Sequence, residues 1–251
     1  MRLHDRRERE RAGRTLVEGA RETARALDAG IELETVLLAP TLLRTEGSEL
    51  QRRLAVANVS LLELSEAAFA RLSRRQGPDG VIAIARTPRR LLGELELSPD
   101  ALLLVAVGTQ KPGNLGALLR SADAAGVQAV ILDAEAGTDP WNPSVVRTSM
   151  GSVFSLTPVV ADGEEIRTWL AQHGVRLVAS SPAAEPELWE VDLTGALAIV
   201  VGPEHEGLDA AWLDRADSCV RIPMAGAADS LNVAVSGALL LFEAVRQRRS
   251  G

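Results

Sequence analysis

"ALAIVV" (196–201) runs directly into "GPEHEGL" (202–208). A short apolar run closed by a glycine turn has the pattern of a buried strand. The turn itself carries two carboxylates and a histidine. Taken alone, it fits a catalytic acid/base loop, a cofactor cradle, or a solvated turn before the helix suggested by "DAAWLDRAD" (209–217). What decides the fold is that the same arrangement recurs along the chain.

Apolar runs of the same kind stand at "ALLLVAV" (101–107), "AVILD" (129–133), "RLVAS" (176–180) and "CVRI" (219–222). Helical patterns separate them at 115–126, 163–174, 209–217 and 231–249. Near-continuous apolar strands alternating with helices predict a mostly parallel sheet covered on both faces.

The first part of the chain reads helix, strand, helix, strand. "TLVEGARETARALDAG" (15–30) has helical spacing and stops at Gly30. "ETVLLA" (34–39) and "GVIAIAR" (80–86) are strands, and "LSEAAFARLSRR" (64–75) is a helix with Ser65 as its N-cap. "TPRRLLGELELSPD" (87–100) mixes proline, glycine and charge and reads as a linker. The expected division is a small α/β domain over 1–95 and a larger domain over 96–251.

Three polar, glycine-bearing loops follow predicted strands: "GTQKPGNLG" (108–116), "GPEHEGL" (202–208) and "PMAGAADSLN" (223–232). Ligands of open α/β sheets sit outside the carboxyl ends of the strands. The three loops therefore predict one composite site. After the first loop, Leu115, Leu118, Leu119, Ala122 and Ala125 form an apolar stripe. Arg120 points roughly 140° away from Leu115. It is either a solvated arginine or a clamp for phosphate or carboxylate, for which a planar five-donor fork is suited. Asn114 is a helix cap or a substrate partner. Ser230 can cap the final helix, and Asn232 lies just inside it. That helix is apolar nearly all round, which predicts burial in the core or at a subunit interface.

Composition narrows the function. The 251 residues are 46% hydrophobic and 24% charged, ordinary for a globular protein with a substantial core. Aromatics are only 3%, which disfavours a surface of stacking platforms for single strands. The net charge of −7 counts against nucleic-acid binding by bulk charge. Local runs such as "RLHDRRERERAGR" (2–14) and "RQRR" (246–249) keep it open. The single cysteine, Cys219, excludes an intrachain disulfide and fits a reducing, cytoplasmic setting. The charged N-terminus lacks an apolar leader, and no apolar run approaches membrane-spanning length. There is no phosphate-binding lysine loop, no dinucleotide glycine fingerprint after a strand, no hydrolase serine elbow and no spacing of histidines or cysteines for a metal.

"NLGALLRSADAAGV" (114–127), "IVVGPEHEGL" (199–208) and "IPMAGAADSLNVAVSGALLLFEAVRQR" (222–248), in that order, resemble the three signature motifs of the SpoU/TrmH family of RNA ribose 2′-O-methyltransferases. "VRTSMGSVFSLTPV" (146–159) resembles the segment between the first two. The resemblance covers roughly residues 100–249. More weakly, the N-terminal part resembles the ribosomal-protein-like domain of members that act on ribosomal RNA.

The resemblance implies a SPOUT-type α/β fold with a C-terminal trefoil knot, S-adenosyl-L-methionine as cofactor, no metal, and a homodimer. It assigns the catalytic site to Asn114, Arg120, Glu204, Ser230 and Asn232. It assigns cofactor contacts to Ser180, Gly202, Ile222, Met224 and Leu231. His205 stands where a small residue is more usual and receives no role. Ribosomal RNA, of the 23S type, is the expected substrate. Transfer RNA is the alternative within the same reaction. A catalytically silent RNA-binding protein on the same fold is the alternative outside it. A basic strip from the N-terminal arginines, Arg86, Arg89, Arg90 and Lys111 is the expected RNA footprint.

Overall fold

Strands buried on both faces dominate the second half of the molecule. The computed structural model describes residues 2–134, 137–203 and 206–250. It divides into two units, Met1–Pro88 with Asp139–Ser155, and Arg89–Thr138 with Leu156–Gly251.

In chain order the first unit contains α1 (Arg6–Ala12), β1 (Arg14–Glu18), α2 (Ala20–Asp28), β2 (Leu33–Leu38), α3 (Thr45–Val56), β3 (Ser60–Glu63), α4 (Glu66–Leu72) and β4 (Val81–Arg86). The sheet order is β1-β4-β2-β3. β4 pairs antiparallel with both β1 and β2, and β2 pairs parallel with β3. Leu16, Leu37, Phe69 and Ile82 form its core.

Here the local sequence misleads in part. Residues 15–18 are strand, not helix. Arg14–Glu18 matches β4 residue by residue from Arg14↔Arg86 to Glu18↔Ile82, a pairing with a distant partner that outweighs local helical spacing. Gly19 then turns the chain at φ 125°, a conformation open to glycine, and α2 follows. Ser65 does cap α4, accepting a hydrogen bond from the Ala68 N–H.

The second unit holds β5 (Leu102–Ala106), α5 (Pro112–Ala124) and β6 (Ala129–Asp133). The chain then contributes α6 (Pro143–Thr148) and most of α7 (Ser152–Leu156) to the first unit. It returns as β7 (Val159–Ala161), α8 (Gly163–Gln172), β8 (Arg176–Ser180), β9 (Leu197–Val201), α9 (Ala210–Leu213), β10 (Ser218–Val220) and α10 (Val233–Ser250). The six strands are parallel in the order β10-β8-β9-β5-β6-β7.

β5, β6 and β9 are buried at every residue, as a sheet covered on both faces requires. One face packs Leu103, Val105 and Ile131 against Trp169 and Trp212. On the other, α10 lies against α5 and β9. Gly237 allows this approach, because a Cβ there would come within 2.5 Å of Leu118 Cδ2. The expected linker is not free: Leu92 and Leu95 are buried in the core of the second unit. The helix expected over 209–217 is one turn, with Asp209 as its N-cap. Among the described residues no helix is long and apolar enough to cross a membrane.

Candidate functional site

The strand order reverses at β5. From β5 the chain builds outward through β6 and β7, then crosses to the other side for β8, β9 and β10. Such a switch point opens a crevice at the carboxyl ends of the adjacent strands. The loops after β5 and β9 are neighbours there, because β5 and β9 pair in register from Leu102↔Leu197 to Ala106↔Val201. β8 ends at Ser180 beside them.

Glycines set how closely these loops meet. Gly108 has φ 57°, and a Cβ on it would lie 2.8 Å from Pro203 Cγ. This locks the first loop against the second. Gly202 has no room for a side chain either: its Cβ would lie 2.7 Å from the Leu208 N and 2.8 Å from the Gly207 carbonyl carbon. Backbone atoms cannot yield as a flexible side chain can. Gly207 and Leu208 therefore lie close against Gly202.

The resulting cavity, about 700 Å³, is lined by Ser180, Gly202, Ile222, Met224, Ser230 and Leu231 among others. Its size and mixture of apolar walls with a few polar groups are those of a small-molecule site. A second cavity of about 100 Å³ is lined by Gly108, Thr109, Gln110, Lys111 and Asn114. Pro203, Glu206 and Val233 line both.

Asn114 and Asn232 meet directly. Asn232 Nδ2 donates to Asn114 Oδ1 at 3.0 Å, while Asn232 Oδ1 accepts from the Ala234 N–H at 3.0 Å. Asn232, not Ser230, thus caps α10. Asn114 is likewise not a cap, since α5 begins at Pro112 after Lys111. Arg120 is exposed on α5, opposite the buried Leu115, Leu118, Leu119 and Ala122. It lines neither cavity. Glu204 and His205 lie outside the described residues.

The loops also bring in residues that motif reading did not single out. Thr109 is buried, and its hydroxyl has no hydrogen-bond partner among the described residues. Glu206 stands where the two cavities adjoin. The only sequence signal for either was a polar residue inside a loop already marked by glycine. Among the described residues no three His, Cys, Asp or Glu side chains converge as metal ligands would.

The cavity suits an adenosyl group on its own chemistry. Gly202 presents backbone at close range, Ile222 and Leu231 supply apolar walls, and Ser180, Ser181 and Ser230 supply hydroxyls.

The basic strip is only partly available. Arg9 is buried against Asp139, and Arg86 and Arg14 pair with Glu32 and Glu34. Among the described residues Arg89 and Arg90 have no acidic partner.

Comparison with known proteins agrees with this geometry. Residues 101–242 match the model of the SpoU rRNA Methylase family, and residues 1–83 match an MRM3-like substrate binding domain. The chain is 34% identical over 264 residues to a 23S rRNA (uridine(2479)-2'-O)-methyltransferase of Streptomyces viridochromogenes, covering 99% of this chain and 88% of the relative. A crystal structure of an RNA 2'-O ribose methyltransferase is 54% identical, with a TM-score of 0.88 over 98% of this chain and 93% of the other. The SpoU methyltransferase AviRb from Streptomyces viridochromogenes, solved with AdoMet, is 32% identical, with a TM-score of 0.89 over 99% of this chain and 96% of that one. With a family match spanning its whole larger sheet and relatives aligned along nearly its full length, this chain belongs to the SpoU rRNA methylase family.

Proposed function

We propose that this protein transfers a methyl group from S-adenosyl-L-methionine to a ribose 2′-hydroxyl of 23S ribosomal RNA. The observation that carries the reading is the 700 Å³ cavity at the carboxyl ends of β8 and β9, lined by residues of the second and third motifs. Ser180, Gly202, Ile222, Met224 and Leu231 would hold the cofactor.

When bound, that cofactor supplies a methyl group on a positively charged sulfur, so the carbon is already electrophilic. The chain's own residues have to place the 2′-oxygen and take up its proton. Asn114, which lines the smaller cavity, and Asn232, hydrogen-bonded to it, are the groups we assign to orienting the ribose. Arg120 stays protonated in proteins and is a poor base. Its role is to clamp the target phosphate and stabilise negative charge on the 2′-oxygen. Its guanidinium is exposed and has no ion-pair partner among the described residues, which supports a residue held ready for a ligand rather than for the fold. Glu204 or Ser230 passes the proton on.

The N-terminal segment, 1–95, acts in this reading as the RNA-recognition domain and 96–251 as the methyltransferase domain. The C-terminal segment forms a trefoil knot. The protein works as a homodimer in a reducing cytoplasm. Support for the dimer comes from α10, which exposes Val235, Leu239 and Phe242 in one apolar patch with Ala117 and Ala238. A second copy of the same patch would cover it.

The test is transfer of labelled methyl from S-adenosylmethionine to purified ribosomal RNA and, separately, to transfer RNA, with nucleoside analysis for ribose methylation. Label in ribosomal RNA, lost in Arg120→Ala, is the expected result. Label in transfer RNA alone would move the substrate assignment. No transfer to either RNA or to ribosomal particles, with the cofactor bound, would favour a silent RNA-binding protein.

A further inference from the structure

The first unit contains a cavity of about 110 Å³ that the methyl-transfer site does not use. It lies where β1 turns into α2 and is lined by Arg21, Glu22, Arg44, Glu46, Arg75 and Asp79. Glu22 is only 1% exposed. Its Oε1 accepts from Arg21 Nη2 at 3.1 Å. Its Oε2 has no hydrogen-bond donor among the described residues, and Arg75 Nη1 stands 3.7 Å away. A buried carboxylate oxygen held only by a long ion pair, with no hydrogen-bond donor, is costly and has acceptor capacity to spare.

One wall is fixed in advance, because Asp79 holds the N–H groups of Ala20 and Val81. Gly19 leaves room for two side chains that line the cavity: a Cβ there would lie 2.1 Å from Glu22 Oε2 and 2.5 Å from Arg75 Nη1.

The charges select the ligand. Three arginines face three carboxylates, so a free anion would meet Glu22, Glu46 and Asp79 along with its partners. What fits is a neutral planar group that donates toward Glu22 and accepts from an arginine. Among nucleobases, guanine offers two adjacent donors, N1–H and N2–H, with the O6 acceptor beside them. Adenine and cytosine offer one amino group on that edge. The cavity admits a single base, not a base pair, and such pairing-edge contacts are made with unpaired nucleotides of RNA.

We propose that this cavity binds one unpaired guanine of the RNA substrate, with Glu22 reading its pairing edge and Arg44 or Arg75 its O6. The proposal rests on the chain being an RNA-binding enzyme, but it does not depend on methyl transfer. The experiment is fluorescence anisotropy of the full chain with short single strands of alternating uridine and guanosine, against the same strands carrying inosine or adenosine. The guanosine strand is expected to bind about tenfold more tightly than the adenosine strand, with inosine between them. Glu22→Gln is expected to abolish the difference while leaving S-adenosylmethionine affinity unchanged. Arg44→Ala, at an exposed position, is expected to reduce it and covers the case in which the Glu22 variant does not fold. Equal binding of the three strands by the unaltered protein, or a full guanosine preference retained in either folded variant, would overturn the proposal. Failure of methyl transfer alone would leave it standing.

Discussion

Asn232 Nδ2 donates to Asn114 Oδ1 at 3.0 Å, joining the start of the last helix to the first turn of α5. The same side chain uses its oxygen to cap α10 through the Ala234 N–H. One amide thus serves the fold with its acceptor and the site with its donor, and two substitutions separate the roles. Asn232→Asp keeps a good cap but replaces the donor facing Asn114 with an acceptor. It is expected to leave the melting temperature nearly unchanged and to lower kcat at least about tenfold. Asn232→Ala removes both functions. It is expected to add a loss of about 1 kcal/mol of stability, read as a fall of about 2–4 °C in Tm. Thermal melts beside single-turnover methylation check the pair. Equal kcat in Asn232→Asp and the unaltered protein would remove Asn232 from the site.

Gly202 is required for closeness rather than for an unusual backbone angle. A Cβ would meet the Leu208 N at 2.7 Å. Gly202→Ala must displace the backbone of Gly207 and Leu208, both of which line the larger cavity. The expected cost is about 1–3 kcal/mol of stability and at least about a tenfold loss of S-adenosylmethionine affinity. Isothermal titration with the cofactor tests it, and unchanged affinity would show that the turn is not a wall of that site.

What the sequence made legible follows from where each signal originates. β5, β6 and β9 are apolar along their whole length because both faces are buried, so a local reading finds them. The loops of the site are legible because each glycine interrupts a polar stretch directly after such a strand. β1 was not legible. Its strand identity comes from pairing with β4 some seventy residues away. β7 is a three-residue edge strand, and β3 has little buried surface to impose a pattern. α3 has only Gly47, Leu50 and Leu54 buried, too few for a clear stripe. The passage of Asp139–Ser155 into the first unit has no local signature, because Arg9 and Asp139 meet only in three dimensions. Thr109 and Glu206 look like ordinary loop polar residues until their surroundings are known.

That buried pair is the basis of a stability prediction. Arg9 Nη2 and Nε lie 2.6 and 2.9 Å from Asp139 Oδ2, with 3% and 9% of the two side chains exposed. Arg9 also donates to the carbonyls of Leu3 and His4, and Asp139 Oδ1 accepts the Trp141 N–H. Removing one partner leaves a buried charge unpaired. Asp139→Ala is expected to cost about 3–5 kcal/mol in urea unfolding. A loss below about 1 kcal/mol would mean that solvent reaches Arg9 and that the pair is a surface contact in energetic terms.

Near the end of α10, Glu243 accepts from Arg246 Nε and Nη2 at 2.8 and 2.7 Å and from Gln247 Nε2 at 2.9 Å. Gln247 in turn holds the Leu193 N–H and the Val191 carbonyl, fastening the helix to the segment before β9. The Arg246 hydrogen bonds, outweighing the cost of burying the charge, hold the Glu243 carboxyl below its ordinary value of 4.5. A carboxyl whose folded value is depressed stabilises fully above its unfolded value, and the contribution fades as pH falls through the folded one. Glu243→Gln is therefore expected to lower stability at neutral pH by about 1 kcal/mol, the scale of an ion pair whose arginine is exposed to solvent. The difference should persist down to about pH 5 and close below the ordinary carboxylate range. Urea unfolding of the two proteins at matched ionic strength across that range reads the effect. A gap that stays constant into strong acid would assign Glu243 a packing role instead of an electrostatic one.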